Sequence, residues 1–322
     1  MEKKDVKNLI DVIKADNLGQ IPDNTGSSLL PKVIADKIIS QLLEDNVVRR
    51  IFPKYTVPTT TRNLTVPVVV QGSNQVRVIG YGDDPTSGNQ QTFTTKSIVL
   101  TPRLLTAWVE ILEDDLETAG MDLAKEIRKS LTANLAEAEE RAMLFGVYNA
   151  SSGSYINAFD GIYTIASGAS CATSPVTYTD SDKLSFKIAN AKKALGVYGR
   201  QAAKLILICS TTFANKLRQE DVVYNQSYRV DSDVLKTGTL PPIYGVKVIE
   251  TTHLDEKESG EVALLVRTDA FAIGDRKKIF FRSLETEVFK KKLIIAEELD
   301  FKAQLLNSSD KYEGIVLIHK GS

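Results

Sequence analysis

The chain has 322 residues, 43% hydrophobic and 25% charged, a composition that builds packed cores and excludes an intrinsically disordered protein. Forty basic against 41 acidic residues leave a formal net charge of −1, so no global positive field draws in nucleic acid or anionic lipid, and any DNA contact is local. Length alone points to two domains or one elaborated domain.

Cys171 and Cys209 are too few for a disulfide framework and are read as free thiols. Glu2, Asp5, Asp11 and Asp16 interrupt the N-terminal apolar residues, which removes a signal-peptide core. The chain also lacks an apolar run of about 18 residues, the length a membrane helix needs. The expectation is a soluble protein made inside the cell.

In chain order, residues 1 to 28 read as an arm: one short amphipathic helix (Val6, Leu9, Ile10, Ile13), then the turn-rich "IPDNTGSS". A second helix is expected in "LLPKVIADKIISQLLEDNVVRRI", where Val33, Ile34, Ile38, Leu42 and Leu43 keep helical spacing and Pro31 suits a first turn. The period then changes to two. "YTVPTTTRNLTVPVVV" sets Leu64, Val66, Val68 and Val70 on one side of a strand, and "TFTTKSIVLTPRLLTAWVEI" is a return strand. Between them lies a tip rich in Gly, Asp, Pro, Ser and Asn. Pro58 and Pro67 remove ladder donors, so this ribbon belongs at an edge.

The strongest periodicity follows. In "MDLAKEIRKSLTANLAEAEERAMLFG", Leu123, Ile127, Leu131, Leu135, Ala138, Ala142 and Phe145 recur every three or four residues, and Gly146 stands where the helix should stop. One long helix with one apolar face is expected, followed by a turn-rich connection of about 30 residues. From residue 180 the types alternate: a helix in "DSDKLSFKIANAKKALGVYG" capped by Asp180 or Ser181, a buried strand in "AKLILICS", a helix in "TTFANKLRQE" and a strand in "YGVKVIETTHL". The C-terminal stretch returns to strands.

Catalytic equipment is sparse. His253 and His319 are the only histidines, and neither sits in a metalloprotease pattern, so each is read as structural. "GASCA" (Gly168–Ala172) half matches a nucleophile elbow, but Pro175 blocks the helix that must follow. The glycines at 80 and 82 begin a dinucleotide fingerprint that Pro85 ends, and no phosphate-binding lysine loop exists. Glu110, Glu113, Asp114, Asp115 and Glu117 could hold a hard cation or act as paired carboxylates, or they could simply favour the start of the following helix. The basic runs Asp275–Lys278 and Phe289–Lys292 read as solvated strand ends, with polyanion binding as the alternative. Neither a metal nor a cofactor is expected.

Taken in order, the arm, "LLPKVIADKIISQLLEDN", the ribbon, "WVEILEDDLE", the long helix ending in "EAEERAMLFG", "YGVKVIET" and "AFAIGD" resemble the major capsid proteins of tailed bacteriophages, the Hong Kong 97-type fold that encapsulin shells share. The resemblance covers nearly the whole chain and rests on order and spacing. It implies an α+β fold: an arm and short helix (1–53), an extended loop (54–106), a peripheral domain with a spine helix at about 120–147 (107–177), an α/β axial domain (178–275) and return strands of the peripheral domain (276–322). It further implies a non-enzymatic virion protein, assembled in the host cytoplasm through pentamers and hexamers into an icosahedral shell around double-stranded DNA, with a portal protein and a separate scaffolding protein as partners and no membrane. Arg77, Tyr81, Asp83, Asp84 and Pro85 on the ribbon, with Arg276 and Lys277, are the candidate inter-subunit contacts.

Two features depart from the family pattern. Some relatives crosslink through a lysine in the extended loop, yet residues 55–95 contain none, which predicts a noncovalent shell. Only about 28 residues precede "LLPK", so scaffolding is either a separate protein or not needed. The competing readings are an encapsulin-like compartment, a tail or neck component, and a metal-dependent hydrolase using Glu110, Glu113 and Asp114.

Overall fold

The protein is described from a computed structural model, which places residues 47–58, 60–71, 81–82, 93–112, 123–148, 159–220, 240–287 and 290–321. In chain order the elements are α1 (Val48–Ile51), β1 (Lys54–Thr56), β2 (Leu64–Gln71), β3 (Phe93–Leu100), β4 (Arg103–Leu112), α2 (Leu123–Phe145), α3 (Ile162–Ser167) and β5 (Val176–Tyr178). They continue with α4 (Leu184–Ala194), β6 (Leu205–Cys209), α5 (Thr211–Gln219), β7 (Lys247–Glu250), β8 (Val262–Arg267), β9 (Phe271–Glu287), β10 (Lys290–Ala303) and β11 (Ile315–Lys320). Two compact units emerge. The larger takes Leu42–Thr106, Ala133–Phe280 and Ala296–Ser322, the smaller Met1–Gln41, Ala107–Thr132 and Phe281–Ile295.

The larger unit is organised by a five-stranded mixed sheet in the order β5-β11-β8-β6-β7. β8 is antiparallel to both β11 and β6, while β11 with β5 and β6 with β7 run parallel. "LILIC", "VALLVR" and "IVLIHK" are nearly continuous apolar runs, as strands covered on both faces require. Leu207, Cys209, Ala263, Leu265, Val316 and Ile318 share one core with Ile188 and Ala191 of α4 and Phe213, Ala214 and Leu217 of α5.

Local chemistry sets the helix ends. Ser210 caps α5, its Oγ accepting the Phe213 N–H at 3.1 Å. Neither Asp180 nor Ser181 caps α4. The N–H groups of Leu184 and Ser185 are taken instead by the Glu220 carboxylate at the end of α5, and Asp182 accepts the Thr179 N–H. The helix therefore starts at Leu184, later than expected.

The ribbon forms, but its return strand is shorter than expected: β3 ends at Leu100, and the following "RLLTAWVEIL" becomes β4 of another sheet. β2 and β3 pair antiparallel from Leu64 opposite Leu100 to Gln71 opposite Phe93, in a sheet of two strands among the described residues. Its foot is packed: Val57, Leu100 and Ala272 form a small core against Tyr55, Leu64 and Val66. β1 joins β9 in parallel there.

The second sheet has the order β1-β9-β10-β4. β9 is one strand of 17 residues running straight through "DRKK", so Arg276 and Lys277 lie within a strand rather than beyond its end. β11, expected among the returning strands, instead closes the five-stranded sheet beside β8. The apolar run "IVLI" that opens β11 fits that buried position, whereas β9 and β10 carry charges along their length.

α2 spans Leu123–Phe145, and Gly146 ends it as expected. The single apolar face is only part of the result, because from Glu139 to Gly146 every residue but Arg141 is buried. The chain returns tightly over this end. The Gly161 N–H donates to the Gly146 carbonyl at 2.8 Å, and a Cβ on either glycine would lie 2.5 Å from a backbone oxygen. α3 lies within the connection expected to be turn-rich; six residues are too few to show a helical period. The expected arm and most of the second helix lie outside the described residues.

Candidate assembly interface

Along β2 exposure alternates, Leu64, Val66 and Val68 half-buried and Thr65 and Pro67 exposed, so one side of the ribbon has partial cover and the other faces solvent. The ribbon is tethered at β3. Lys96 Nζ donates to the carbonyls of Asn307 and Ser308 at 2.9 and 3.3 Å and meets Asp310 Oδ1 at 2.6 Å, and Lys302 Nζ donates to the Val99 carbonyl at 2.6 Å. Lys96, the first lysine after the lysine-free stretch, is thus engaged by its own chain.

At the tip Tyr81 is fully exposed beside Gly82, whose φ of 94° marks a turn suited to glycine. Arg77, Asp83, Asp84 and Pro85 lie outside the described residues. Arg276 is placed differently from expectation: it is half-buried, with Nη1 2.9 Å from Glu298 Oε2 on β10, so its charge serves the sheet. Lys277 holds a β9 position, and its side chain is outside the description.

β4 offers a further surface that the sequence reading passed over. Among the described residues it is an outer strand of its sheet, and its residues alternate so that Leu104, Trp108, Glu110 and Leu112 are exposed while Leu105 and Ile111 are buried. In the smaller unit the Lys292 ammonium lies 3.5 Å from the centre of the Trp108 ring. An outer strand with exposed large apolar side chains is a surface that pairs readily with another chain. Of the acidic cluster only Glu110 is described, and it is exposed on β4. Among the described residues no group of three or more His, Cys, Asp or Glu could hold a metal.

At the β3–β4 turn, a cleft of about 270 Å³ is lined by Thr101, Arg103, Tyr148, Asp160, Asp300 and Tyr312, among others. Its carboxylates are committed to structure. Asp300 accepts the Thr101 N–H at 2.6 Å and the Phe301 N–H at 2.9 Å, and Asp160 accepts the Tyr148 N–H. Burial pushes the Asp300 carboxyl up despite these bonds.

The other sequence candidates fall out as structural groups. Cys171 and Cys209 are free and buried, and burial raises both thiols, Cys209 to about 12. "GASCA" follows a helix rather than a strand. His253 is buried and accepts from Arg141 Nε at 3.3 Å; His319 Nδ1 lies 3.1 Å from the Lys320 carbonyl. Among the described residues no helix is long and apolar enough to cross a membrane.

One cluster escaped the sequence reading altogether. Arg49 on α1 bridges Glu139 of α2, Asp275 of β9 and Glu297 of β10. Two signals could have revealed it. Glu139 falls four residues after Leu135 and three before Ala142, on the apolar stripe of its helix. Glu297 falls between Ile295 and Leu299 on the buried side of its strand. A charged residue at a core position implies a buried partner.

The comparisons with known proteins agree with this architecture. Among solved structures, the capsid of a native GTA particle matches with a TM-score of 0.66 at 14% identity, over 95% of this chain and all (100%) of that one. The mature capsid of bacteriophage PhiM1 matches at 0.64 and 9% identity over 95% and 97%, and a chain of Mycobacterium phage Bobi at 0.61 and 16% over 92% and 97%. These likenesses concern the fold. Among curated proteins none matches. The phage capsid family matches residues 26–300, most of the sequence, and the chain belongs to that family.

Proposed function

We propose that this protein is a major capsid subunit that closes, through pentamers and hexamers, into a noncovalent icosahedral shell around double-stranded DNA. The observation that carries the reading is the β2–β3 ribbon. It is anchored at its foot by the Val57–Leu100–Ala272 core and by Lys96, yet beyond that foot it has no third strand among the described residues. Such a ribbon is an aggregation hazard in a monomer and a specified contact in a closed symmetric assembly. Many weak contacts made together supply the strength of a shell.

The near-neutral charge suits a container that must not trap its genome, because tight phosphate binding needs clustered Lys and Arg. The lysine-free stretch 55–95 and the engagement of Lys96 with residues 307–310 support noncovalent closure. Assembly in the host cytoplasm, a portal protein at one vertex and a separate scaffolding protein complete the reading, and membership of a capsid family favours a structural, non-enzymatic role.

Deleting residues 71–91 tests it. Electron microscopy with light scattering should then show a folded subunit that makes no shells where the full chain makes them. Intact shells from the shortened chain would overturn the reading; rings or tubes from the full chain would indicate a tail or neck component, and a packaged enzyme an encapsulin-like compartment.

A further inference from the structure

The side of the ribbon that faces the body of the larger unit ends on a charge. Along β3 exposure alternates, so Leu100, Ile98 and Lys96 share one side, the first two buried and Lys96 half-buried. Opposite them in β2 stand Leu64, Val66 and Val68. A lysine that continues an apolar stripe needs partners for its ammonium. It finds them in one turn: three N–H donors meet three oxygens, the carbonyls of Asn307 and Ser308 and Asp310 Oδ1, at 2.9, 3.3 and 2.6 Å.

The turn keeps its shape through bonds of its own. Asn307 Oδ1 accepts the Ser309 and Lys311 N–H groups at 2.9 and 3.0 Å, and the Asn307 N–H donates to the Lys311 carbonyl at 3.0 Å. Tyr312 roots it, donating its N–H to the Ser170 carbonyl and accepting the Ala172 N–H at its own carbonyl, each at 2.8 Å. The other holds on the ribbon act nearer its foot: Leu100 packs into the foot core, Ile98 is buried, and Lys302 Nζ donates to the Val99 carbonyl. Apolar packing resists separation but has little directionality. Lys96 lies four residues along the strand from Leu100, about 13 Å at about 3.3 Å per residue. Its bonds are directional, and a foot with one such point beyond it fixes the line of a rod.

We propose that the Asn307–Asp310 turn is a receptor for the Lys96 ammonium, and that this contact sets the direction in which the ribbon leaves its subunit, making Lys96 a positioning residue for the contact between subunits. The inference rests on the shell reading, since direction matters only to a ribbon that must meet a second copy. The Asp310 side chain is 80% exposed, so water solvates the groups freed when the contact breaks, and subunit stability changes little. What is lost is the ribbon's aim. A ribbon that samples several directions is competent to meet its neighbour for only a fraction of the time, and the apparent affinity between subunits falls by that fraction.

Pulsed dipolar spectroscopy on the full chain, below the concentration at which particles form, tests the aim. Spin labels at Thr95→Cys on β3 and Lys193→Cys on α4 take exposed positions of the larger unit, while Cys171 and Cys209 are buried and stay unlabelled. One narrow distance distribution is expected. Lys96→Met, which keeps length without charge, should broaden or shift it, and so should Asp310→Gly, which suits the φ of 59° at that position. The double variant should do no more than the stronger single one, because both remove one contact. In unlabelled chains each variant should raise the protein concentration needed for particles about threefold or more, the aim then being right for about a third of the time or less. An unchanged distribution in both variants overturns the proposal and leaves the shell reading standing. A changed distribution with an unchanged particle threshold overturns it too. Shells formed without residues 71–91 would instead sink the shell reading and the assembly half of the proposal with it, while the distances still decide what Lys96 holds. Should one variant fail to fold, the other decides.

Discussion

The five-stranded sheet and the β2–β3 ribbon draw on the same β-branched vocabulary but differ in what completes them. In the sheet, "VALLVR" is flanked by β6 and β11 and roofed by α4 and α5, and Leu264 and Leu265 are wholly buried. In the ribbon, "LTVPVVVQ" has one partner strand and a buried foot, and its outer residues face solvent. The sheet is a finished folding unit, whereas the ribbon, on the function proposed above, is half of a contact between subunits. Lesions in the first should therefore act on stability and lesions in the second on assembly.

The largest break in that comparison is the removal of residues 71–91 from the ribbon. Shell formation should be abolished, while the thermal unfolding midpoint of the subunit stays within a few degrees, since the deletion spares the sheet core. Next comes Phe213→Ala, which empties a wholly buried site packed edge-on against Tyr178. A loss of about 3–5 kcal/mol in denaturant unfolding is expected. An effect below about 1 kcal/mol would mean that the core under α5 relaxes freely.

The Arg49 cluster predicts a pH slope of definite sign. Glu139 holds its proton more tightly in the folded chain than at the usual glutamate value of 4.5, so unfolding releases a proton between that value and about 8. This contribution to stability is complete below pH 4.5, declines as pH rises and is spent above about 8. Unfolding midpoints across pH 5 to 9 should show a decline that is shallower in Glu139→Gln. A smaller effect is expected for Ser210→Ala, which deletes the cap of α5: about 1 kcal/mol in denaturant unfolding.

What the sequence made legible tracks the range of the interactions concerned. The long helix was readable because Leu131, Leu135 and Ala142 repeat within one element, and the ribbon because its alternation and tip are contiguous. The cap of α4 was not, because Glu220 lies 36 residues beyond Leu184 in the chain. "DRKK" looked like a strand end because charge clusters usually mark solvent, yet β10 places Glu298 beside Arg276. The Arg49 cluster unites residues 49, 139, 275 and 297, a convergence that only the tertiary fold creates, although Glu139 and Glu297 each sat at a core-phase position. Membership of the capsid family was likewise legible only through the order of elements along the whole chain.

The finest test concerns β4, which belongs with the ribbon in this comparison. Trp108 is 55% exposed, with Leu112 exposed four residues on, and its resolved partner in the smaller unit is the Lys292 ammonium over its ring. Truncation by Trp108→Ala therefore forfeits little within the subunit, about 0.5–1 kcal/mol for the cation–π contact, and leaves no core cavity. A buried aromatic anchor at a subunit contact costs far more when removed, about 2 kcal/mol or above. The variant should keep a near wild-type unfolding curve and need a higher protein concentration to form particles, as light scattering would report. A particle threshold unchanged by Trp108→Ala would assign that face of β4 to solvent and leave the ribbon as the principal contact.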